Sequence, residues 1–578
     1  MFKRFPFKNS FVRCKVDVRI NRVNSSCVSK TNIVSSGLDD VTIPNLTLPQ
    51  FFEEYHDKFH DFTAIECAVT KRRYNYGQIR TKSSNLAKGL RKYFKLEDQE
   101  VVAVILTNIP EFPIANLGIL KANLIATSVS PAFTSDEICR QLIDSDAKAI
   151  ITEADLLPTV KTALQNSSKN IPLIVVKTKN HQELPNKRID FHQFVGNKVD
   201  DVVIPEGKPG DVAFLPYSSG TTGLPKGVEL THTNLVANIV QHNNPVLRFK
   251  QEASGNFQEV LPAILPLYHI FGYNVVMNGI PIYGGKLVTM GKFNQKGFIT
   301  MMENYQDSTI FYLVPPLVLL LIGNSQIERR YLRNIRAILS GAAPLAASDE
   351  ERFNQKFGNH IQSLQVYGLT ESSPLATAQY PKKIEGNELH KGTIGKPLVN
   401  TQIKIVDSED EKNIPLEPNI KGELLIKGPQ VMKGYLNRSE ETKKSVTEDG
   451  WLKTGDIGYY NDEGFFFITD RFKELIKVKG NQVPPAELEA IIRSFPGVLE
   501  AAVIGIPHET SGEVPRAYVV PKTGEVINTK NLTEFVNTKV ASYKKLEGGI
   551  ALVDDIPKNP SGKLLRRLLK QQYLNNKI

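Results

Sequence analysis

The sharpest chemistry in this 578-residue chain lies in the run Tyr217-Ser218-Ser219-Gly220-Thr221-Thr222-Gly223-Leu224-Pro225-Lys226-Gly227. Glycines let backbone N–H groups approach an anion closely, hydroxyls add donors, and a lysine adds positive charge. Gly220, Gly223 and Gly227, the hydroxyls of Ser218, Ser219, Thr221 and Thr222, and Lys226 together read as a phosphate cradle. The order is Gly-x-x-Gly-x-x-Lys, and no Gly-Lys-Ser/Thr occurs anywhere in the chain, which excludes a P-loop NTPase. A buried-strand signal at residues 211–215 stands directly before the run, and Pro225-Lys226 inside it argues against a flexible linker.

Such a loop needs a framework. From about residue 45 the pattern alternates between strands and helices. Residues 101–106 (VVAVIL) form an unbroken apolar run, as in a buried parallel strand. A helix is expected at 113–122, a strand at 124–129, a helix at 135–145 opened by a Ser/Asp cap, and strands at 147–152 and 171–176. Repeated β-α-β predicts a mostly parallel sheet covered by helices. Further strands are expected at 211–215, 286–289, 308–314 and 335–339. After Gly392 short strand signals crowd together at 402–406, 423–426 and 464–468, as in a compact β subdomain. A small α+β unit closes the chain, with helices at 485–494 and 532–543 and strands at 501–506, 516–520 and 550–553. The fold class is therefore α/β: a large N-terminal domain of parallel α/β subdomains plus a β subdomain, then a small C-terminal domain. The expected boundaries are 1–40 for a basic leader, 41–470 and 471–578.

Composition narrows the function. The net charge is +10, but residues 1–37 hold eight basic groups against one acid, Asp17, so the rest of the chain carries only +3. A nucleic-acid-binding protein would carry its cations as a patch on the folded body, so that class is disfavoured. The four cysteines are scattered without a CxxC pair, which argues against a disulfide framework or a zinc cluster. The most apolar run, 310–322, is too short to span a membrane and contains Pro315-Pro316, so a buried strand followed by a helix is expected there.

The loop from Tyr217 to Gly227 resembles the signature of the adenylate-forming superfamily: acyl-CoA synthetases, 4-coumarate–CoA ligases, beetle luciferases and peptide-synthetase adenylation domains. Six further motifs follow in that family's order. They are Leu265-Pro-Leu-Tyr-His269, Ser340-Gly341-Ala342-Ala343-Pro344-Leu345, Tyr367-Gly368-Leu369-Thr370-Glu371, Gly450-Trp451-Leu452-Lys453-Thr454-Gly455-Asp456, Asp470-Arg471-Phe472-Lys473-Glu474-Leu475-Ile476-Lys477 and Pro557-Lys558-Asn559-Pro560-Ser561-Gly562-Lys563. The resemblance spans about residues 45–575.

The resemblance implies an acid–CoA ligase that uses ATP, Mg²⁺ and coenzyme A. Ser218, Ser219, Gly220, Thr221, Thr222, Gly223 and Lys226 would hold the β- and γ-phosphates, and Thr370 would meet the α-phosphate. Glu371 would ligate Mg²⁺, a hard cation suited to carboxylate and phosphate oxygens. Gly341, Ala342, Ala343, Pro344, Tyr367 and Gly368 would surround adenine; Asp456 and Arg471 would bind the ribose. Lys563 would bridge the substrate carboxylate and the α-phosphate from a mobile loop. In relatives the mobile C-terminal domain then rotates about the position of Lys473, which would bring Lys477, Gly480 and Gln482 towards the pantetheine path. His269 would gate the acyl pocket and the pantetheine tunnel.

Candidate pocket walls are His269, Phe271, Tyr273, Val314, Ser340, Ala342, Tyr367 and Gly368. The small residues Gly272, Ala342 and Gly368 suggest depth for an aromatic or a medium- to long-chain acyl group. No acidic partner for an ammonium group is evident, which counts against an amino-acid substrate. Luciferase-like oxidation would use the same adenylate, and a non-catalytic acyl- or nucleotide-binding relative would be expected to lack the loop, the metal acid or the lysine. The basic start, with six serines, suggests mitochondrial delivery, with a cytoplasmic enzyme as the alternative; the final Asn575-Asn576-Lys577-Ile578 is not the Ser-Lys-Leu peroxisomal signal.

Overall fold

The computed structural model describes residues 28–179, 183–184, 189–200, 202–218, 225–245, 247, 249–342, 345, 347–381, 392–407, 410–471, 474–478, 481–508, 511–540, 542–559, 562 and 564–575, with backbone alone at 347, 470, 471, 477, 481 and 482. Most of the basic leader therefore lies outside the described residues. So do Ser219, Gly220, Thr221, Thr222, Gly223, Ala343, Pro344, Lys473, Gly480 and Lys563.

Among the described residues the strands form five sheets. The apolar run at 101–106 folds as Val101–Ile105, all of it buried, at the middle of the largest sheet. Ile125–Ser128 and Ala149–Glu153 flank it in parallel register, and Leu173–Val176 extends the sheet beyond. On the other side Val212–Phe214 runs parallel to Ile125–Ser128, and Lys226–Thr231 then turns antiparallel. A second parallel set, Ile310–Leu313, Ala337–Ser340 and Gln362–Gly368, ends in the antiparallel strands Leu375–Ala378 and Lys396–Pro397. The run at 310–322 is the expected strand and helix, Ile310–Leu313 and Pro315–Gly323. Prolines at the first helical positions lack only N–H groups that would have no partner there.

Gln402–Val406, Gly422–Lys427, Leu452–Tyr460 and Phe466–Arg471 make an antiparallel β unit. Beyond it, a sheet built only from residues after 475 carries its own core, with Val503, Leu488, Ile492 and Leu532 fully buried or nearly so. The molecule is thus a mixed α/β protein with a large N-terminal domain and a small C-terminal one.

Two local expectations change. The helix at 135–145 is capped not by its own Ser/Asp pair but by Thr134, whose hydroxyl accepts from Glu137 N while the Glu137 carboxylate accepts from Thr134 N at 2.8 Å. The helix expected at 532–543 is Thr529–Asn537. Asn528 caps its start, and at its end the Asn537 side chain accepts from Leu546 N at 3.3 Å, folding the chain back early.

One packing contact has a pH consequence. His232 is buried, and its Nδ1 accepts a hydrogen bond from Leu48 N at 3.1 Å. Burial lowers its pKa to about 4; burial, then the charges of Lys121 and Arg80, lower that of His56 to about 3. Both rings are neutral in the fold and titrate near 6.5 once unfolded, so the unfolded chain binds more protons below that pH. Their contribution is complete above pH 6.5 and is lost as pH falls towards the folded values, at about 1.4 kcal/mol per group per pH unit within the window. The thermal midpoint is expected to be lower at pH 5 than at pH 7. His232→Asn, whose amide oxygen can still accept from Leu48 N, should flatten that slope; an unchanged slope would remove His232 from the explanation.

Candidate active site

The loop from Tyr217 to Gly227 is carried on two short strands, Tyr217–Ser218 and the start of Lys226–Thr231, which pair Ser218 with Lys226 and Tyr217 with Gly227. Both stems are pinned by side chains from elsewhere. Tyr217 OH donates to Asp144 at 2.7 Å, and Arg438 closes the same carboxylate from the other side at 2.7 Å. Burial first, then the Asp144 hydrogen bond and charge, pushes the Tyr217 phenol well above its usual pKa, so it stays a neutral donor. Lys226 is ion-paired with Glu441 and lies 5.3 Å from the centre of the Tyr435 ring.

Glu371 lies at the centre of this arrangement. It is only 9% exposed, which excludes a solvated surface acid. Its Oε1 accepts from Ser218 Oγ and from Tyr435 OH, each at 3.0 Å. Oε2 has no hydrogen-bond partner among the described residues. A single carboxylate with one uncommitted oxygen, beside a phosphate cradle, suits Mg²⁺, which takes one or two carboxylates together with substrate phosphates. Among the described residues no cluster of three or more His, Cys, Asp or Glu forms an all-protein metal cage.

Thr370 and Glu371 follow directly from the strand Gln362–Gly368, so Tyr367 and Gly368 stand at its end. Beside them lies a cavity of about 220 Å³ whose walls come from both domains. The large domain contributes Pro316, Ala342, Gln365, Tyr367, Gly368 and Asp456. The small domain contributes Glu474, Glu489, Arg493, Gly562, Leu564 and Arg566. Asp456 is 3% exposed, and its Oδ2 accepts from Tyr367 OH at 2.7 Å. Its backbone N–H donates to Thr454 Oγ1 at 3.1 Å, and Arg471 is its cross-strand partner. Ala342 lines the cavity with φ 70°; Ser340, an expected pocket wall, is not among the lining residues, and its Oγ is buried with no hydrogen-bond partner among the described residues.

Gly562 and Leu564, the neighbours of Lys563, both line this cavity. Arg566 ties the segment down, bonding Glu489 at 2.8 Å and pairing with Glu474. Lys477 and Gln482 face each other across the antiparallel pair Ile476–Val478 and Asn481–Val483.

Some expected pocket residues stand elsewhere. His269 is not part of the cavity wall; its Nδ1 accepts from Phe271 N at 3.3 Å, opening the π-helix Phe271–Met277. Tyr273 is fully buried, stacks on Phe214 at 3.8 Å between ring centres and does not line this cavity. Gly272 and Gly368 do not supply acyl depth. A Cβ on Gly272 would stand 2.1 Å from Pro266 O, and one on Gly368 would stand 1.8 Å from Pro374 O. Both are small because backbone passes over them. Gly341 is likewise enclosed, with a Cβ position 3.0 Å from Phe271 Cε1 and 3.1 Å from Val366 Cγ2. Tyr435, Asp144, Arg438 and Glu441 were invisible to sequence reasoning: each lies far along the chain from the loop it supports, and nothing in its neighbours marks it.

Fold and site together define an enzyme of the adenylate-forming superfamily. The AMP-binding enzyme family matches residues 52–436, and the AMP-binding enzyme C-terminal domain matches residues 487–563. The 4-coumarate–CoA ligase 2 of Nicotiana tabacum is 37% identical over 544 residues, covering 93% of this chain and 96% of its own. The 4-coumarate–CoA ligase of Vanilla planifolia is 37% identical over 547 residues, covering 94% and 96%. The crystal structure of ATP-bound MatB from Rhodopseudomonas palustris matches with a TM-score of 0.79 at 26% identity, covering 93% of this chain and 100% of that one. The chain belongs to the AMP-binding enzyme family and is an AMP-forming acid–thiol ligase.

The glycine geometry is testable. Gly368→Ala must displace the Pro374 carbonyl and is expected to cost about 1–3 kcal/mol, the usual range for overpacking. Calorimetry should show a lower thermal midpoint along with lost activity; an unchanged midpoint would mean that the Cβ position of Gly368 is open to the cavity rather than closed by the Pro374 carbonyl.

Proposed function

We propose that the protein activates an aromatic or medium- to long-chain carboxylic acid as its acyl-adenylate and transfers the acyl group to coenzyme A. The observation that carries this reading is the cavity shared by both domains, which buried Asp456 and half-buried Tyr367 line together with the two neighbours of Lys563. The curated relatives, named as 4-coumarate–CoA ligases, support an aromatic acid and coenzyme A as the thiol. The ATP-bound neighbour supports ATP as the nucleotide.

In the first half-reaction a carboxylate oxygen of the acid attacks the α-phosphorus of ATP. The bond from that phosphorus to the bridging oxygen breaks, and pyrophosphate leaves. Nucleophile and electrophile are both anionic, so the site must hold them together and neutralise charge. Asp456 accepts from the ribose hydroxyls, with Arg471 at the neighbouring strand position. Tyr367, Gly368, Gly341 and Ala342 enclose adenine, Thr370 donates to the α-phosphate, and the segment from Ser218 to Lys226 cradles the outer phosphates. Glu371 would hold Mg²⁺, which would screen charge on the phosphates. Lys563 brings a cation to the carboxylate and α-phosphate.

In the second half-reaction the small domain turns about Lys473, removing Lys563 and presenting Lys477, Gly480 and Gln482. The coenzyme thiol, losing its proton, attacks the acyl carbonyl, and AMP leaves. One cleft then serves two reactions in turn.

The test is carboxylate-dependent ATP–pyrophosphate exchange over a panel of aromatic and aliphatic acids, followed by thioester formation with coenzyme A. Exchange with at least one acid is expected; its absence with every acid would favour a non-catalytic binding protein. Lys563→Ala should slow adenylation by about 10²-fold or more, the scale of losing one preorganised charge, while sparing thioester formation from preformed adenylate. Equal loss in both steps would overturn that role.

A further inference from the structure

Two helices from different domains border the shared cavity: Ala347–Phe357 of the large domain and Pro485–Arg493 of the small one. Asp349, in the first turn of the former, is 2% exposed. Its Oδ1 accepts from Arg352 Nη1 at 3.2 Å, one turn along the same helix. Its Oδ2 faces Arg493 Nε across the domain boundary at 3.4 Å. Arg493 ends its helix with a side chain 14% exposed, and its Nε makes no hydrogen bond, so the contact is held by charge rather than by an aligned donor.

Asp349 has a second partner on its own domain, Arg352. Glu500 of the small domain's strand Val498–His508, itself paired with Lys558, lines the same cavity as Arg493. Separating a buried ion pair is costly chiefly because it strands an uncompensated charge. Here separation leaves Asp349 paired with Arg352, and the Arg493 side chain, 14% exposed, reaches solvent in part. By contrast, the ion pairs of Arg566 with Glu474 and Glu489, and of Lys558 with Glu500, lie wholly within the small domain and move with it.

The same interface seats the catalytic-lysine segment. A Cβ on Gly562 would lie 2.9 Å from Val314 Cγ2, and Leu499 Cδ1 approaches the Cβ position of Gly323 at 3.5 Å. The domain position that forms the Asp349–Arg493 contact therefore also places the neighbours of Lys563 in the cleft.

We propose that Asp349 and Arg493 are positioning residues for the first half-reaction: an exchangeable latch that holds the small domain in its adenylating position and sets how the enzyme divides its time between adenylation and thioester formation. This rests on the two-step reading given above. Neither residue touches the reacting atoms. The latch biases an equilibrium between two domain positions by its differential contact, which exists in only one of them.

The test compares Asp349→Asn and Arg493→Gln with the unaltered full-length protein in three measurements. Adenylation is read by pyrophosphate exchange, and thioester formation is read in single turnover from chemically prepared acyl-adenylate and coenzyme A. The third readout needs no catalysis: the interdomain distance distribution between labels at Val203→Cys and Val526→Cys, both highly exposed, with Cys14→Ser and Cys27→Ser in the background. Adenylation is expected to fall by about tenfold in either variant, with thioester formation within about twofold of normal and a broadened distance distribution. The double variant should lose no more than either single one, and Arg493→Lys should recover part of the adenylation rate. An unchanged distance distribution, or equal loss in both half-reactions, would overturn the proposal. If Asp349→Asn fails to fold, Arg493→Gln carries the same comparison from the other side of the interface. Absence of exchange in the unaltered protein, together with a distance distribution that still responds to the variants, would overturn the ligase reading while leaving the latch in place.

Discussion

A buried carboxylate needs its oxygens satisfied, and much of this site follows from meeting that need at Glu371. The two hydroxyls that satisfy its Oε1 come from Ser218, at the stem of the phosphate loop, and from Tyr435, more than two hundred residues further along, and Oε2 is left for a cation. Met432 N also donates to the Glu371 backbone carbonyl at 2.8 Å, so the strap leading to Tyr435 is fixed to the same residue twice. That strap pairs with the strand leaving the phosphate loop, Val228 opposite Tyr435. One carboxylate thus brings three separate chain segments to one point and joins the edge of the largest sheet to the end of the second parallel set.

The neighbouring cavity obeys a different constraint. Its walls belong to two domains with independent cores, so its shape depends on their relative position. Fixed groups, Asp456 and Tyr367, are on the large domain and are rigidly held. The small domain's groups at the cavity are held by ion pairs mostly internal to it. On the proposed two-step reading, this division would let a nucleotide stay bound while one face of the small domain is exchanged for another.

Sequence pattern revealed the framework well. The strands expected at 286–289 and 402–406 are Lys286–Thr289 and Gln402–Val406, because period and punctuation are local properties. The motif residues Asp456, Tyr367 and Gly368 do converge on one cavity. What remained hidden depends on distant segments. Tyr435, Asp144, Arg438 and Glu441 act across gaps that no local pattern reports. Tyr273, expected beside the acyl group, stacks on Phe214 away from the shared cavity. Gly272 and Gly368 looked like open space, yet passing backbone fills the volume a side chain would occupy. A glycine in sequence signals absent volume without saying whether ligand or main chain uses it.

On the proposed reading the Asp456 carboxylate, buried against Tyr367, anchors the nucleotide. The direct measurement is calorimetric binding of a non-hydrolysable acyl-adenylate analogue to the unaltered protein and to Asp456→Ala, with thermal midpoints recorded alongside. Loss of two charge-assisted hydrogen bonds at about 1.5–3 kcal/mol each predicts at least a hundredfold weaker binding by the variant with its fold retained. Equal affinity for the two proteins would contradict the account.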